Sequence, residues 1–309
     1  MTLAVLFPGQ GSQHVGMADP WSSHPAGKAV LDEAAEAMGR DIAELCRDER
    51  ALATTEVVQP AVFACDVAAF RVLEAQGVGF AVSAGHSLGE FAALVAAGAL
   101  ELGPALETVV VRGRAMQEAS DAAPSTMTAI LGLSKEQASE LCDIAGRGDI
   151  LQVANENAPS QVVLSGTVGA VERAEELARS RGAKALRLKV AGALHSPLMK
   201  PALGAVRDAI AGLNFRRPRF PVIPNASGRP TSEPSALRDL LSRQMTSPVR
   251  WETSMKAAAS MGVDSFIEAG PGDTLTKLAR RCLQGVAATP VSSPEDAVSF
   301  AASMDEAAG

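Results

Sequence analysis

Apolar positions in this chain fall into two kinds of stretch that alternate along its length. Short runs such as Leu3-Ala4-Val5-Leu6-Phe7 and Ala81-Val82-Ser83-Ala84 have the length and continuity of buried strands, while longer segments repeat apolar residues at helical spacing. This alternation predicts an α/β protein, a mostly parallel sheet flanked by helices. Leu3 to Phe7 is read as a strand cut by Pro8-Gly9-Gln10-Gly11. Helices are expected over 26–38, 60–76 and 104–118, the first two stopped by Gly39 and Gly77. Between the last two, 81–84 reads as a strand, followed by a Gly-rich turn and an Ala/Leu helix ending near Gly98.

One stretch differs in kind. From 126 to 190 the order reads strand (126–132), helix (135–145), strand (151–155), strand (161–165), helix (168–181), strand (184–190), the βαββαβ pattern of a ferredoxin-like unit. Ser134 with Gln137 has capping-box spacing, and Gly182 closes the second helix. An inserted small subdomain over 124–190 is therefore expected, within a large one made of 1–123 and 191–309. Afterwards the α/β rhythm resumes, with helices near 197–211, 235–245, 251–261 and 273–284 and strands at 220–223, 264–268 and 287–291. Met304 to Gly309 are expected to fray.

Composition narrows the function. A hydrophobic fraction of 47% with 20% charged residues over 309 positions places the chain among ordinary globular proteins and excludes disordered and collagen-like classes. Nine Phe, two Trp and no Tyr leave little for base- or sugar-stacking platforms, and a net charge of −7 argues against binding nucleic acid. Cys46, Cys65, Cys142 and Cys282 are scattered, which suggests neither a metal pair nor a disulfide framework, so no metal site and a reducing, cytoplasmic setting are expected. No basic n-region precedes the first apolar run and no run nears the ~20 residues needed to span a bilayer, so neither a signal peptide nor a membrane partner is expected.

The sharpest chemical motif is Gly85-His86-Ser87-Leu88-Gly89, a G-x-S-x-G between a predicted strand and a predicted helix. Such a turn forces its middle residue into a strained backbone conformation, and the flanking glycines let neighbouring chain pass without a Cβ clash. Ser87 would then project at the mouth of the sheet, with a helix N-terminus behind it to favour a developing oxyanion. A serine needs a base, and the chain holds only His14, His24, His86 and His195. His86 is adjacent to Ser87, where side chains diverge; His24 reads as a solvated loop residue and His14 as surface. Elimination leaves His195, which follows a predicted strand and precedes Pro197. Its orienting partner is open between a carboxylate and a backbone carbonyl. The loop Pro8-Gly9-Gln10-Gly11-Ser12-Gln13 lacks the Lys of a P-loop and the spacing of a dinucleotide fingerprint, which leaves an oxyanion donor or a plain turn.

These residues resemble the malonyl-CoA:acyl carrier protein transacylases and the related acyltransferase domains of polyketide synthases. The resemblance covers nearly the whole chain through the two Gly motifs with Glu90, Gln59-Pro60-Ala61, Arg112-Gly113-Arg114 with Met116-Gln117, Gly192-Ala193-Leu194-His195-Ser196, Pro248-Val249-Arg250-Trp251 and Gly270-Pro271-Gly272. It implies a hydrolase-like α/β core carrying the ferredoxin-like subdomain. It further implies Ser87 as nucleophile, His195 as general base held by the main-chain carbonyl of Gln244, and the backbone N–H groups of Gln10 and Leu88 as oxyanion hole. Arg112, Met116 and Leu194 would surround the acyl group, with Arg112 on the malonyl carboxylate, a planar guanidinium being suited to two parallel hydrogen bonds. Helical spacing alone sets Arg112 and Arg114 on opposite borders of the apolar stripe, so only the resemblance favours Arg112.

The activity so implied is ping-pong transfer of malonyl from malonyl-CoA to the phosphopantetheine thiol of an acyl carrier protein, in fatty-acid or polyketide synthesis, by a free-standing monomer with no metal or redox cofactor. Docking an acidic carrier would fall to a local basic face, with Arg187, Lys189, Lys200, Lys277, Arg280 and Arg281 as candidates. Malonyl-selective polyketide acyltransferases often carry Phe before the base, whereas this chain has Leu194, so an α-substituted malonyl stays open. The alternatives are an acyl-carrier-protein or thioester hydrolase of the same fold and a docking module without activity.

Overall fold

The computed structural model describes residues 1–190 and 192–308. At its centre lies β1 (Leu3–Phe7), all five residues buried, between β2 (Val82–Gly85) and β8 (Ser265–Ala269). With β7 (Val222–Ile223) and β9 (Ala287–Val291) these form a parallel sheet in the order β7-β2-β1-β8-β9. A strand covered on both faces has to be apolar throughout, which explains the unbroken Leu3–Phe7 run. Leu3, Val5 and Phe7 pack on α1 (Pro25–Met38), α3 (Thr55–Ala75), α4 (Gly89–Ala96) and α5 (Leu102–Ala122), while Ala4 and Leu6 face α10 (Trp251–Ser260) and α11 (Thr274–Cys282).

The second sheet is antiparallel, formed by β3 (Ser125–Leu131), β4 (Leu151–Ala158), β5 (Gln161–Thr167) and β6 (Lys184–Arg187) in the order β4-β5-β3-β6. α6 (Lys135–Gly146) and α7 (Val168–Ser180) cover one face through Leu141, Ala174 and Ala178 against Ile130 and Leu164. This is the ferredoxin-like order, and the Ser134–Gln137 capping box is formed in both directions. The two sheets are tied where β4 meets the segment before α10: Val249 N–H donates to Ala154 O and Glu156 N–H to Val249 O, both at 2.8 Å.

Several elements depart from the expected bounds. α3 begins five residues before Pro60, which sits inside it. The segment 197–211 splits into a 3-10 turn, Pro197–Ala202, and α8 (Leu203–Gly212), because Pro201 cannot supply an N–H to a continuous helix. β6 stops at Arg187, short of 190. Two helices were not expected. α2 (Ile42–Arg47) is short but capped by Asp41, whose Oδ1 accepts from Ala43 and Glu44 N–H. α12 (Pro294–Ala308) carries the tail expected to fray as far as Ala308; Gly309 lies outside the described residues. α9 (Pro234–Gln244) completes the set.

Candidate active site

Register brings the two Gly motifs together. Phe7 pairs with Gly85 at the carboxyl ends of β1 and β2, and His86 N–H donates to Phe7 O at 2.9 Å, so the Pro8–Gln13 loop leaves beside the turn that holds Ser87. Ser87 has φ 52°, the left-handed region that costs a non-Gly residue about 1–2 kcal/mol. The turn closes because its neighbours have no side chains: a Cβ on Gly85 would lie 1.9 Å from Gly89 C, and one on Gly89 would lie 2.1 Å from Phe7 O. Asn225, just after β7, clamps the turn; its Oδ1 accepts from Ser87 N–H at 2.7 Å and its Nδ2 donates to Gly85 O at 2.6 Å.

Ser87 Oγ lies 2.7 Å from His195 Nε2. The other ring nitrogen, Nδ1, lies 3.1 Å from both Gln244 O and Ser247 O. Carbonyl oxygens only accept, which assigns the ring proton to Nδ1 and leaves the Nε2 lone pair facing the hydroxyl. Burial, assisted by the nearby Arg112 cation, pushes the His195 pKa down to about 3, so the imidazole is neutral at ordinary pH.

Arg112 is 1% exposed, whereas the Arg114 side chain is 61% exposed and pairs with Glu56. The two are thus not equivalent borders of a stripe: one arginine is inside, the other outside. Arg112 donates to Gln59 Oε1 (2.6 Å), Ser87 Oγ (3.1 Å) and Gln244 Oε1 (3.2 Å). All three acceptors are neutral, and among the described residues no carboxylate lies within 4.0 Å of it. Burial lowers its pKa to about 10 against the opposing pull of Glu90, so it stays cationic. Glu90, in the first turn of α4, is pushed up to about 7 by burial although its Oε2 accepts from Asn225 N–H (3.0 Å) and Gln244 Nε2 (2.8 Å). Gln244 Nε2 also donates to Ser87 O at 2.8 Å.

Gly9 abuts the turn, where a Cβ would lie 2.5 Å from His86 O. Among the described residues, neither Gln10 N–H nor Leu88 N–H donates a hydrogen bond, so two free backbone donors flank Ser87. The space in front of it is a chamber of about 80 Å³ lined by Gln10, Ser87, Arg112, His195, Leu194 and Met127 among others. It adjoins a cavity of about 450 Å³, the two sharing Gln10, His86, Asn155, Leu188 and Val190 as lining.

Of the residues expected at the site, Ser87, His195, Gln10, Leu88, Arg112, Leu194 and Gln244 converge there. Met116 does not line the chamber; it is buried behind it, its Sδ 3.5 Å from Gln59 Nε2. His14 is exposed, as read. His24 is no solvated loop residue: its Nδ1 accepts from Ala26 N–H and caps α1. His86 is buried, bonded through Nε2 to Asn157 Oδ1 at 2.9 Å and packed on Trp251. Among the basic candidates, Arg187 is held by Glu175, Lys277 by Asp273 and Arg280 by Ala288 O, whereas Lys189 lines the larger cavity and Lys200 and Arg281 are exposed. Sequence reading gave no role to Gln59, Glu90, Asn225 or the Ser247 carbonyl. The first two stand inside quoted motifs; nothing local marks Asn225, which lies 138 positions from its partner.

A serine on a left-handed strand-to-helix turn, with a neutral imidazole on its hydroxyl and two unengaged backbone donors beside it, is the arrangement of α/β proteins that transfer acyl groups. The chain belongs to the acyl transferase domain family, whose model matches residues 5–299. It is 39% identical to the malonyl CoA-acyl carrier protein transacylase of Bacillus subtilis over 95% of this chain and 94% of that protein, and 39% identical to the one of Escherichia coli over 94% and 96%. Among solved structures, the malonyl CoA-acyl carrier protein transacylase of Coxiella burnetii superposes with TM-score 0.94 at 36% identity, covering 98% of this chain and 97% of that one. A malonyl-transacylase in complex with a type II PKS acyl-carrier protein gives TM-score 0.94 at 35% identity over 98% of this chain and 100% of that one.

Proposed function

We propose that this protein moves a malonyl group from malonyl-CoA to the phosphopantetheine thiol of an acyl carrier protein through an acyl-Ser87 intermediate. The observation that carries the reading is Arg112, a fully buried guanidinium 3.1 Å from Ser87 Oγ whose acceptors are all neutral. Glu90 is reached only through Gln244 and is itself pushed toward neutrality by burial, so the guanidinium has no anion in direct contact; the free carboxylate of a malonyl group beside the reacting carbonyl supplies one.

In the reaction, Ser87 Oγ passes its proton to His195 Nε2 as it attacks the thioester carbonyl, and the imidazolium formed keeps its Nδ1–H on Gln244 O and Ser247 O. The carbonyl oxygen becomes an oxyanion between the N–H groups of Gln10 and Leu88, backed by the N-terminus of α4. Collapse breaks the C–S bond, and the sulfur of CoA leaves with the proton from Nε2. The carrier thiol then enters through the larger cavity, gives its proton to His195 and takes the acyl group by the same steps in reverse. The cycle balances without a metal or redox cofactor, and the protein is read as acting as a monomer. Free thiols at all four cysteines favour a reducing cytoplasm. No described helix is long and apolar enough to cross a membrane.

The same reading divides the chain into 1–123 with 191–309, which supplies Ser87, Arg112 and His195, and 124–190, which roofs the chamber with Met127, Asn155, Leu188 and Val190. Lys189 on that roof is the basic residue best placed to meet an acidic carrier. The test is the intact mass of the protein after brief exposure to a mixture of malonyl-, methylmalonyl- and acetyl-CoA. A malonyl adduct on Ser87 that persists until carrier protein is added is expected. No adduct would overturn the reading, and one lost to water within seconds would make the protein a hydrolase.

A further inference from the structure

His195 has φ 54°, so the backbone that carries the imidazole is itself in the left-handed region and must be held there by its surroundings. What holds it comes from the other sheet. Gln152, on β4, donates from Nε2 to His195 O at 2.6 Å across 43 positions of sequence. Two residues further along β4, Ala154 O accepts from Val249 N–H at 2.8 Å, and Glu156 N–H returns a bond of the same length to Val249 O. Val249 follows closely on Gln244 and Ser247, whose carbonyls receive the imidazole Nδ1–H. One strand therefore fixes both the main chain of His195 and the segment that orients its ring.

We propose that Gln152 is a positioning residue for His195: its side-chain amide holds the strained His195 carbonyl and so keeps Nε2 aimed at Ser87 Oγ. No other side-chain donor among the described residues reaches that carbonyl. Removing the amide leaves a half-buried carbonyl unpaired and frees φ to relax toward the negative region, which rotates the Cα–Cβ bond and swings the ring off the hydroxyl. Displacement of a catalytic group by about 1 Å can cost on the order of 10²-fold in rate.

The inference rests on the proposed transfer by Ser87 and His195, and a double-mutant cycle tests it in the full-length protein. Pre-steady-state acylation of Ser87 by malonyl-CoA is measured in wild type, Gln152→Met, His195→Ala and the double variant. Gln152→Met is expected to lower the acylation rate at saturation by about 10- to 100-fold, with KM within twofold, and to cause no further loss in the His195→Ala background. Gln152→Ser, too short to reach and too small to crowd the strand, gives the same pattern and serves if the Met variant folds poorly. Glu140→Gln, which breaks the ion pair between α6 and Arg181 in the same subdomain but away from β4, is the control and keeps the wild-type rate. A wild-type rate in both Gln152 variants, or an equal fold-loss with and without His195, overturns the positioning role. A wild-type rate in His195→Ala alone overturns the reading of the pair itself, and the two failures are thus distinct.

Discussion

Ser87 and His195, 108 positions apart, meet at 2.7 Å while both hold left-handed backbone conformations, with φ of 52° and 54°. Neither residue is glycine, so each site stores strain that the surrounding hydrogen bonds must offset. At Ser87 the effect is separable from chemistry. Ser87→Gly and Ser87→Ala both abolish acylation, yet the glycine variant is expected to be more stable than the alanine one by about 1–2 kcal/mol, because only glycine accepts that φ without penalty. Urea unfolding of the two proteins checks this; equal midpoints would count against a strained turn.

His195→Ala is expected to slow Ser87 acylation by about 10²- to 10⁴-fold, the usual loss for a general base, with thioester KM little changed. Stopped-flow release of CoA measures it. A rate equal to wild type would remove the imidazole from the mechanism.

Burial also gives His195 a signature in pH. Its native pKa of about 3 lies well below the ~6.5 of a free imidazole, so between those values the unfolded chain binds a proton that the native state refuses. Stability from this group is therefore full above about pH 6.5 and is lost as pH falls toward about 3. Chemical denaturation at pH 7 and pH 4.5 should show a larger loss in wild type than in His195→Gln, and the His195 ring resonances should stay in their neutral positions down to pH 5. A ring that titrates near pH 6.5 in the native protein contradicts the assignment.

Arg112→Met should cut malonyl transfer by about 10- to 150-fold, the 1.5–3 kcal/mol of hydrogen bonds to a charged group, and leave acetyl transfer unchanged or improved. Because Arg112 also helps to hold the His195 pKa down, the ring in this variant should titrate higher than in wild type. Competition between malonyl- and acetyl-CoA reads the first effect and NMR the second; equal losses for both acyl groups would show that the guanidinium serves the dyad and not the substrate.

Asn225→Ala removes the acceptor for Ser87 N–H and the donor for Gly85 O at once. Leaving such buried groups unpaired typically costs about 1–3 kcal/mol each, and the turn should loosen with them. A fall in melting temperature together with a lower acylation rate is expected. If the melt falls and the acylation rate of the folded protein does not, the clamp is structural alone.

How much of this was legible beforehand depends on the distance over which each signal acts. The strand Leu3–Phe7, the Gly85–Gly89 turn and the Ser134–Gln137 cap are local, encoded by residues within a few positions of one another, and periodicity or spacing finds them. The βαββαβ order was readable for the same reason. Helix ends were less so, since α3 runs through Pro60 and α2 is held by a single Asp41 cap and packing that leave little trace in hydrophobic pattern.

The sequence by itself determined the alternation of strands and helices, the inserted unit, and which serine stands on a tight turn. It also left His195 as the base by elimination. Only the tertiary structure decided that Arg112 points inward while Arg114 points out, that Met116 lies behind the chamber, and that Asn225, Glu90 and Gln152 join the hydrogen bonds around Ser87 and His195. The reason is physical. Backbone conformation follows from neighbours along the chain, whereas a buried charge, a clamped carbonyl or a depressed pKa depends on which distant groups exclude water around it, and those groups meet only when the two sheets come together.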